Sequence, residues 1–458
     1  MGGTVNMKNF KNTLREISHY PSAIFGVIII ILLVVLAIYA VNAIPYEEAV
    51  RQWRGGEEVV YKNPKNVPPA WFNYFTDKDL PISFAVVAGE DEEFTKVVTQ
   101  GDTTDTIDYE YSFDFPYDEF PQELFLYIQS DYKVKNPFLS VVLETPDGGE
   151  IKISDFGASN KQTYRFSQDE KLATRLRRLH GKEIQVMRGL FSVPKSDPLK
   201  VNKGVYTLKI KATVFEKGTD VRIEFVNHGL VFGLFGTDHM RRDITTAILW
   251  GAPIALAFGL LAAAGTSILS MLIAAIGAWF GGWIDELIQR ITEINLVLPF
   301  LSILIMVGTF YSRSIWVILG VTIALSIFTG AIKTDRAIFL QVKESTYIEA
   351  AKAYGAGDFR IIVRYLIPRI IPLLIPGLVS AVPSYVFLEA SLALLGLGDP
   401  TLPTWGKVIN DARENGALYK GQFYWILEPA LLLMITGLGF AMFGFALDRI
   451  FNPRLRGM

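Results

Sequence analysis

Residues 244 to 284 contain no charged side chain, a run of 41 residues. A stretch that long and apolar suits hydrocarbon as its solvent, because about 20 apolar residues in a helix cross the ~30 Å bilayer core. The run is too long for one straight span and short for a tight hairpin of two, so one long or bent span are both open. Residues 21–46 are also free of charge, and further spans are predicted at 294–312, 314–332, 370–392 and 429–447. An apolar signal sequence has a core of about 7 to 15 residues, so the longer 21–46 run is expected to stay as an anchor. With 50% hydrophobic residues, the chain is expected to be an α-helical polytopic membrane protein.

Between the first and second spans the pattern changes. Charge is frequent over 46–229, and Tyr206, Leu208, Ile210, Ala212 and Val214 alternate with Thr207, Lys209, Lys211 and Thr213. Val221, Ile223 and Phe225 alternate again after Lys217-Gly218, which predicts a hairpin. A second hairpin is predicted between 138–144 and 150–154, across Pro146-Asp147-Gly148-Gly149. The insert is therefore expected to be an all-β, sandwich-like domain. The expected divisions are 1–45 (N-tail and first span), 46–229 (insert) and 230–458 (membrane core, with a polar loop at 333–369).

Six crossings place the N-terminus, the 285–293 loop, the 333–369 loop and the C-tail on one side. These segments carry fourteen Lys and Arg residues, among them Lys8, Lys11, Arg15 and Arg290. The short loops opposite carry four: Arg313, Lys407, Arg413 and Lys420. The bias predicts a cytoplasmic 333–369 loop, cytoplasmic termini and an extracytoplasmic insert in a cell membrane.

Signals for catalysis are negative. No phosphate-binding G-x-x-x-x-G-K-[ST] loop occurs, since Gly181-Lys182 and Gly406-Lys407 lack the following Ser or Thr. His19, His180, His228 and His239 lack the i, i+4 spacing of metal ligands. Glu90-Asp91-Glu92-Glu93 is a solvated turn or a calcium site. The chain lacks cysteine, which removes thiol chemistry and disulfides, and its net charge of −2 gives no reason for a nucleic-acid partner. Neither an enzyme nor a bound cofactor or metal is expected.

The most structured polar segment is 346–368. Thr346 with Glu349 is a candidate capping box, followed by Ala350, Ala351 and Ala353 in a short helix. Gly355 and Gly357 permit a sharp corner. Asp358 is a candidate cap for a second helix whose Phe359, Ile362, Val363 and Leu366 follow an apolar stripe, with Arg360 and Arg364 opposite and Pro368 resetting the chain. Glu349-Ala350-Ala351, then Gly355, then Tyr365-Leu366-Ile367-Pro368 resembles the EAA loop of ABC-importer permeases, in which this loop docks on the ATPase subunit. Tyr365 stands where an aliphatic residue is usual, and Ile367 where leucine is usual.

Other stretches resemble the C-type permease of dipeptide, oligopeptide and nickel importers. They are Phe235-Gly236-Thr237-Asp238 with Arg242-Asp243, Gly281-Gly282-Trp283-Ile284-Asp285, Leu298-Pro299, Glu389 to Gly398, Pro403-Thr404-Trp405-Gly406 and Asn452 to Arg456. Arg241 replaces a usual glycine, and the tail departs at Phe445, Asp448-Arg449 and Asn452. The resemblance covers 233–458 closely and 1–45 loosely, and omits the insert. It implies a type I ABC-importer permease fold of six spans, working with a B-type permease, two ATPases that use ATP and Mg, and an external solute-binding protein. Peptides are the expected substrate, with nickel or oligosaccharide as alternatives. A secondary transporter would need intramembrane charges and broken helices in corresponding halves, which the sequence does not show, and a membrane-anchored receptor would leave the capped elbow and five further spans without a purpose. By resemblance the elbow couples to the ATPase through Glu349, Ala350, Ala351, Gly355, Asp358, Phe359, Ile362, Val363 and Pro368. Glu389 is an outer-gate or interface residue; Ser391 and Trp405 are further path candidates, Trp405 being also an interface anchor. Asp238, Arg242 and Asp243 are expected to brace an interfacial helix.

Overall fold

The computed structural model describes residues 20–101 and 104–451; Lys8, Lys11, Arg15, His19 and the Asn452 to Arg456 motif lie outside them. In chain order, α1 (Pro21–Ala43), α2 (Tyr46–Arg54), α3 (Glu57–Val60) and a 3-10 turn (Ala70–Phe75) precede the strands. These are β1 (Phe84–Val87), β2 (Phe94–Thr99), β3 (Asp105–Phe115), β4 (Glu123–Asp131), β5 (Phe138–Glu144), β6 (Glu150–Gly157) and β7 (Lys161–Arg165). After α4 (Glu170–His180) and α5 (Val186–Leu190) come β8 (Gly204–Val214) and β9 (Asp220–His228). The remainder is helical: α6 (Ile244–Phe280), α7 (Gly282–Val297), α8 (Phe300–Phe310), α9 (Ile315–Ile327), α10 (Gly330–Lys343), α11 (Thr346–Ala353), α12 (Asp358–Ile361), α13 (Ile367–Leu392), α14 (Trp405–Glu414) and α15 (Tyr424–Phe451). The chain divides into two compact units, Gly55–Thr245 and the remainder.

The first unit has a four-stranded sheet, β1-β9-β4-β7, and a five-stranded sheet, β2-β3-β8-β5-β6. Period-two patterning turns Tyr109, Tyr111, Phe113 and Phe115 of β3 and Tyr206, Leu208 and Ile210 of β8 inward. The two strands pair antiparallel over their whole length, bringing Phe113 opposite Tyr206 with stacked rings 5.8 Å apart. The 145–149 hairpin forms as expected, with Thr145 N donating to Gly149 O at 2.8 Å and Gly148 at φ 78°.

The other predicted hairpin does not form. β8 pairs with β3 and β5, whereas β9 pairs with β1 and β4 in the other sheet. An arch between two sheets and a hairpin within one leave the same alternation, so period two cannot separate them. Nor is the unit all-β. Asp169 caps α4, its Oδ1 accepting from Leu172 N at 2.9 Å; Gly181 ends the helix at φ 70°, and Leu172 and Leu176 are buried.

In the second unit, α1, α6, the continuous run Asp358–Leu397 and α15 are long and apolar enough to cross a membrane. Among the described residues the number rises to six if α7 with α8 and α9 with α10, bent by 78° and 48°, each count as one span. The 244–284 run resolves into one 37-residue helix, about 55 Å long. Small residues let α15 approach its neighbours: a Cβ on Gly26 would lie 2.7 Å from Gly439 O, and one on Gly444 2.3 Å from Ser380 Oγ.

His228 gives the insert a measurable acid sensitivity. The ring is fully buried, Nε2 bonds Tyr61 O at 2.9 Å, and Phe125 lies 4.7 Å away. Burial, with the nearby Arg241 guanidinium, pushes this imidazole down to about 4. The folded state thus resists a proton that the unfolded chain takes near 6.5. The contribution is complete above that pH and is lost as pH falls towards 4, by up to about 3 kcal/mol. Urea unfolding of the insert within the full chain should weaken over this window, and His228→Gln should flatten that part of the slope.

Candidate functional site

The elbow at 346–368 is built against the end of α6. α11 opens at Thr346 with Ser345 as the flanking residue, and no side chain caps it. Asp358 likewise is the first residue of α12, after Gly357. Both expected caps are therefore displaced by one position, and the capping box does not form. Glu349 lies exposed in the first turn of α11, where the helix dipole favours a carboxylate.

The corner is a Schellman motif. Ala356 N donates to Ala351 O at 3.0 Å and Gly355 N to Lys352 O at 2.9 Å, with Gly355 at φ 75°. A side chain at this backbone angle is strained, which is why glycine occupies it.

Beyond the corner the helix continues without a reset. Ile362–Leu366 form a π turn that runs directly into α13, placing Pro368 at the start of α13 within one continuous helix. Proline lacks the N–H that an α-helix would bond to Arg364 O, and a wider turn just before it accommodates that loss. The π turn also rotates the expected apolar stripe. Phe359 is 80% exposed and Val363 46%, while Ile362 is 7% exposed and Leu366 1%. Ile362 is thus a core residue and leaves the outward face; Tyr354, 93% exposed, joins Phe359 there.

The underside is packed and charged. Ile348, Ile361, Ile362, Leu366 and Ile370 form one cluster with Met271, Ala274, Ala275, Ala278 and Trp279 of α6 and Phe339 of α10. Lys343 Nζ donates to Ala278 O at 3.0 Å and Trp279 O at 2.9 Å, satisfying carbonyls at the end of α6. Lys352 lies 4.7 Å over the Trp279 ring. Arg336 grips Asp285 through Nε to Oδ1 at 2.6 Å and a second bond from Nη2 to Oδ2. Lys343, Lys352, Trp279 and the Asp285–Arg336 pair were not legible as site residues. Only the position of Asp285 after a glycine pair hinted at one of them.

The other candidates are elsewhere. Glu389 is buried close to the side chain of Thr404, whose Oγ1 accepts from Lys407 N at 3.2 Å to cap α14. Trp405 is 1% exposed, and its Nε1 donates to Ile248 O at 3.0 Å. A Cβ on Gly251 would come within 2.2 Å of that ring. Trp405 is therefore a wedge between α6 and α14, and not a surface anchor. Ser391 is exposed and donates to Phe387 O of its own helix at 2.6 Å. Asp399, missed in the sequence, accepts from Ile315 N at 3.2 Å at the start of α9.

In the β-rich unit, Asp238 and Arg242 brace a turn and not a helix. Asp238 Oδ1 accepts from Met240 N at 2.8 Å and Arg242 N at 2.9 Å, and Arg242 Nε donates to Oδ2 at 2.5 Å. Asp243 Oδ1 then accepts from Thr245 N at 2.8 Å, at the head of α6.

Residues 267–457 match the family described as "Binding-protein-dependent transport system inner membrane component". The chain is 30% identical over 223 residues to the dipeptide transport system permease protein DppC of Bacillus subtilis, covering 48% of this chain and 69% of that protein. It is 30% identical over 226 residues to the glutathione transport system permease protein GsiD of Escherichia coli O6:K15:H31, covering 49% of this chain and 73% of that protein. Over 221 residues it is 31% identical to the peptidoglycan transport system permease protein YejE of Agrobacterium fabrum, covering 48% and 56% respectively.

The π turn makes two neighbouring apolar residues differ in consequence. Ile362→Ala should cost about 2–4 kcal/mol through lost burial and a cavity. Phe359→Ala should stay within about 0.5 kcal/mol. Thermal unfolding of the purified chain in detergent checks both; equal effects would refute the assignment of faces.

Proposed function

The chain belongs to the family of binding-protein-dependent transport system inner membrane components, the permeases of ABC importers, and from that premise we propose that it is a C-type subunit importing peptides. The relatives named for dipeptide and glutathione transport support peptides as the substrate class. In this reading the chain crosses the membrane six times, with each bent helix pair as one span. Both termini and the elbow are cytoplasmic, and the insert is extracytoplasmic. A B-type permease completes the path, two ATPases supply the work with their own ATP and Mg, and a solute-binding protein delivers the peptide.

The observation that carries the proposal is the two-sided construction of the elbow. Its outer side presents Glu349, Ala350, Tyr354, Phe359 and Val363 to a partner, with Asp358 and Pro368 exposed along the same segment. Its inner side, through Ala351, Ile348 and Ile362, is packed on α6, and Lys343 and Lys352 hold Trp279. A push on the outer side therefore moves the end of α6 and the start of α13 together. At the other end of α13, Glu389 meets Thr404 beside Trp405, which is keyed into α6 at Ile248. Movement of α13 against α6 would be felt there, so Glu389 and Trp405 are assigned to the outer gate as positioning residues. Ser391, spent on its own helix, is assigned a minor part. Alternating access needs two states that the ATPases and the substrate bias in opposite directions, and this lever joins their two sites.

Gly355→Val tests the coupling. A β-branched residue at this backbone angle costs about 1–2 kcal/mol, enough to shift the population of a rigid corner about tenfold. In the assembled transporter in nanodiscs, peptide-stimulated ATP hydrolysis and uptake should fall by about that factor while all subunits still co-purify. Unchanged stimulation with assembly intact would sink the proposal that the elbow transmits the work.

A further inference from the structure

The outer face of the four-stranded sheet carries a cleft of about 650 Å³, separate from the aromatic core between the sheets. Period two along β4 and β7 sends alternate residues to this face, and the register sets Phe125 beside Arg165 and Tyr127 beside Thr163. The floor is thus an aromatic row next to a polar one. β7 is the last strand of its sheet, and among the described residues no strand pairs with its second edge. Tyr61 forms the opposite wall. Its ring meets that of Tyr127 edge to face at 4.4 Å, its OH donates to Glu224 Oε2 at 2.8 Å, and its carbonyl bonds His228 Nε2 at 2.9 Å. The cleft is therefore rigid, and its volume is that of a small-molecule site, about 300–1,000 Å³.

Most of the charge around the cleft is matched within the protein. Glu224 is buried beside Lys62, whose Nζ lies 2.5 Å from Oε1, and Arg165 Nε donates to Glu123 Oε2 at 2.9 Å. Arg241 is different. Its guanidinium lies 5.6 Å from the centre of the Phe125 ring, as that of Arg165 does at 5.5 Å, and among the described residues no carboxylate pairs with it. Its backbone is held at φ 66°, an angle that glycine takes freely and a side chain resists. Asn63 Nδ2 donates to Arg241 O at 3.0 Å and Arg241 N donates to Asp238 O at 3.1 Å, so the surrounding chain fixes the angle. An arginine kept at a strained angle, lodged over an aromatic ring in a cleft and left without a counter-ion, is arranged to meet an anion from outside. Glu58, exposed on the same lining, offers the opposite charge, and Gln129, Gln162 and Thr163 offer amide and hydroxyl groups. A short peptide presents the complement of this set: a carboxylate, an amine, backbone amides and side chains that pack on aromatic rings.

We propose that this cleft binds a short peptide, with the C-terminal carboxylate on Arg241 and a side chain against Tyr61 and Tyr127. The proposal deepens, and rests on, the reading of the chain as a peptide-importing subunit. The full chain in nanodiscs, without ATPases or binding protein, is titrated calorimetrically with alanyl-alanyl-phenylalanine and with its C-terminal amide. The acid should bind, and the amide should bind about tenfold or more weakly, as expected when a charged hydrogen bond is lost. Arg241→Gly relieves the backbone angle, so it should keep its unfolding midpoint and bind the acid no better than the unaltered chain binds the amide. Should that variant lose its fold, the comparison of acid with amide on the unaltered chain still decides. Absence of binding, or equal affinity for acid and amide, overturns the proposal. Unchanged affinity in a folded Arg241→Gly chain overturns it in favour of a site in the membrane unit. Inorganic phosphate that binds as tightly as the peptide overturns it in favour of a plain anion site. Uptake of the same peptide by the assembled transporter tests the importer reading separately. Uptake without binding at the cleft sinks the site and leaves that reading standing, whereas binding without uptake sinks the reading and leaves the site.

Discussion

A backbone carbonyl or N–H left without a partner in hydrocarbon costs several kcal/mol, and this constraint governs how the membrane unit is assembled. The pairs α7–α8 and α9–α10 are each bent at a short break, and a break in a helix frees backbone carbonyls. Asn295 Nδ2 answers the second break from the first, bonding Leu325 O at 2.8 Å and Phe328 O at 2.7 Å. Ser270 of α6 takes Ile327 O at 2.7 Å. At the end of α6, Lys343 takes two more. These repairs come from other helices, so the breaks cannot change shape one at a time. They tie α6, α7, α9 and α10 into one frame.

The elbow depends on that frame. α11 is only eight residues long and would not persist as an isolated helix in water. It is stable because Ile348 and Ala351 pack on the end of α6 and because its C-terminus is closed by the Gly355 corner. The same arrangement leaves Tyr354 and Phe359 in the open, a combination that suits a surface built to be covered by a partner. Rigidity below and unpaired apolar area above are the two requirements of a part that receives force.

The β-rich unit follows a different logic. Its core consists of aromatic rings from β3, β8 and β9 meeting between two sheets, with Phe113 in contact with Tyr206, Phe191 and Phe225. α4 closes one side through Leu172 and Leu176. Within the unit, the turn at 70–75 is tied to the 233–234 segment by Ala70 N to Gly233 O and Trp71 Nε1 to Leu234 O.

The residues by themselves determined the medium, the elbow and the existence of a separate β-rich unit. Charge-free runs of about 20 residues and more suit lipid as their solvent, glycine is the residue that takes the left-handed corner at 355 without strain, and β8 alternates with period two whichever strand it faces. The sequence also contained the EAA-like and Glu389-to-Gly406 stretches, whose resemblance to ABC-importer permeases pointed to an importer subunit. Tertiary structure decided the rest. It placed β8 and β9 in opposite sheets, since alternation states which face is buried and not which strand lies alongside. It turned Ile362 inward, since a π turn changes the helical period that the stripe assumed. It buried Trp405 against Gly251, since a close approach depends on a residue more than 150 positions away. Local physics is written in neighbouring residues, whereas partners brought together by folding are not.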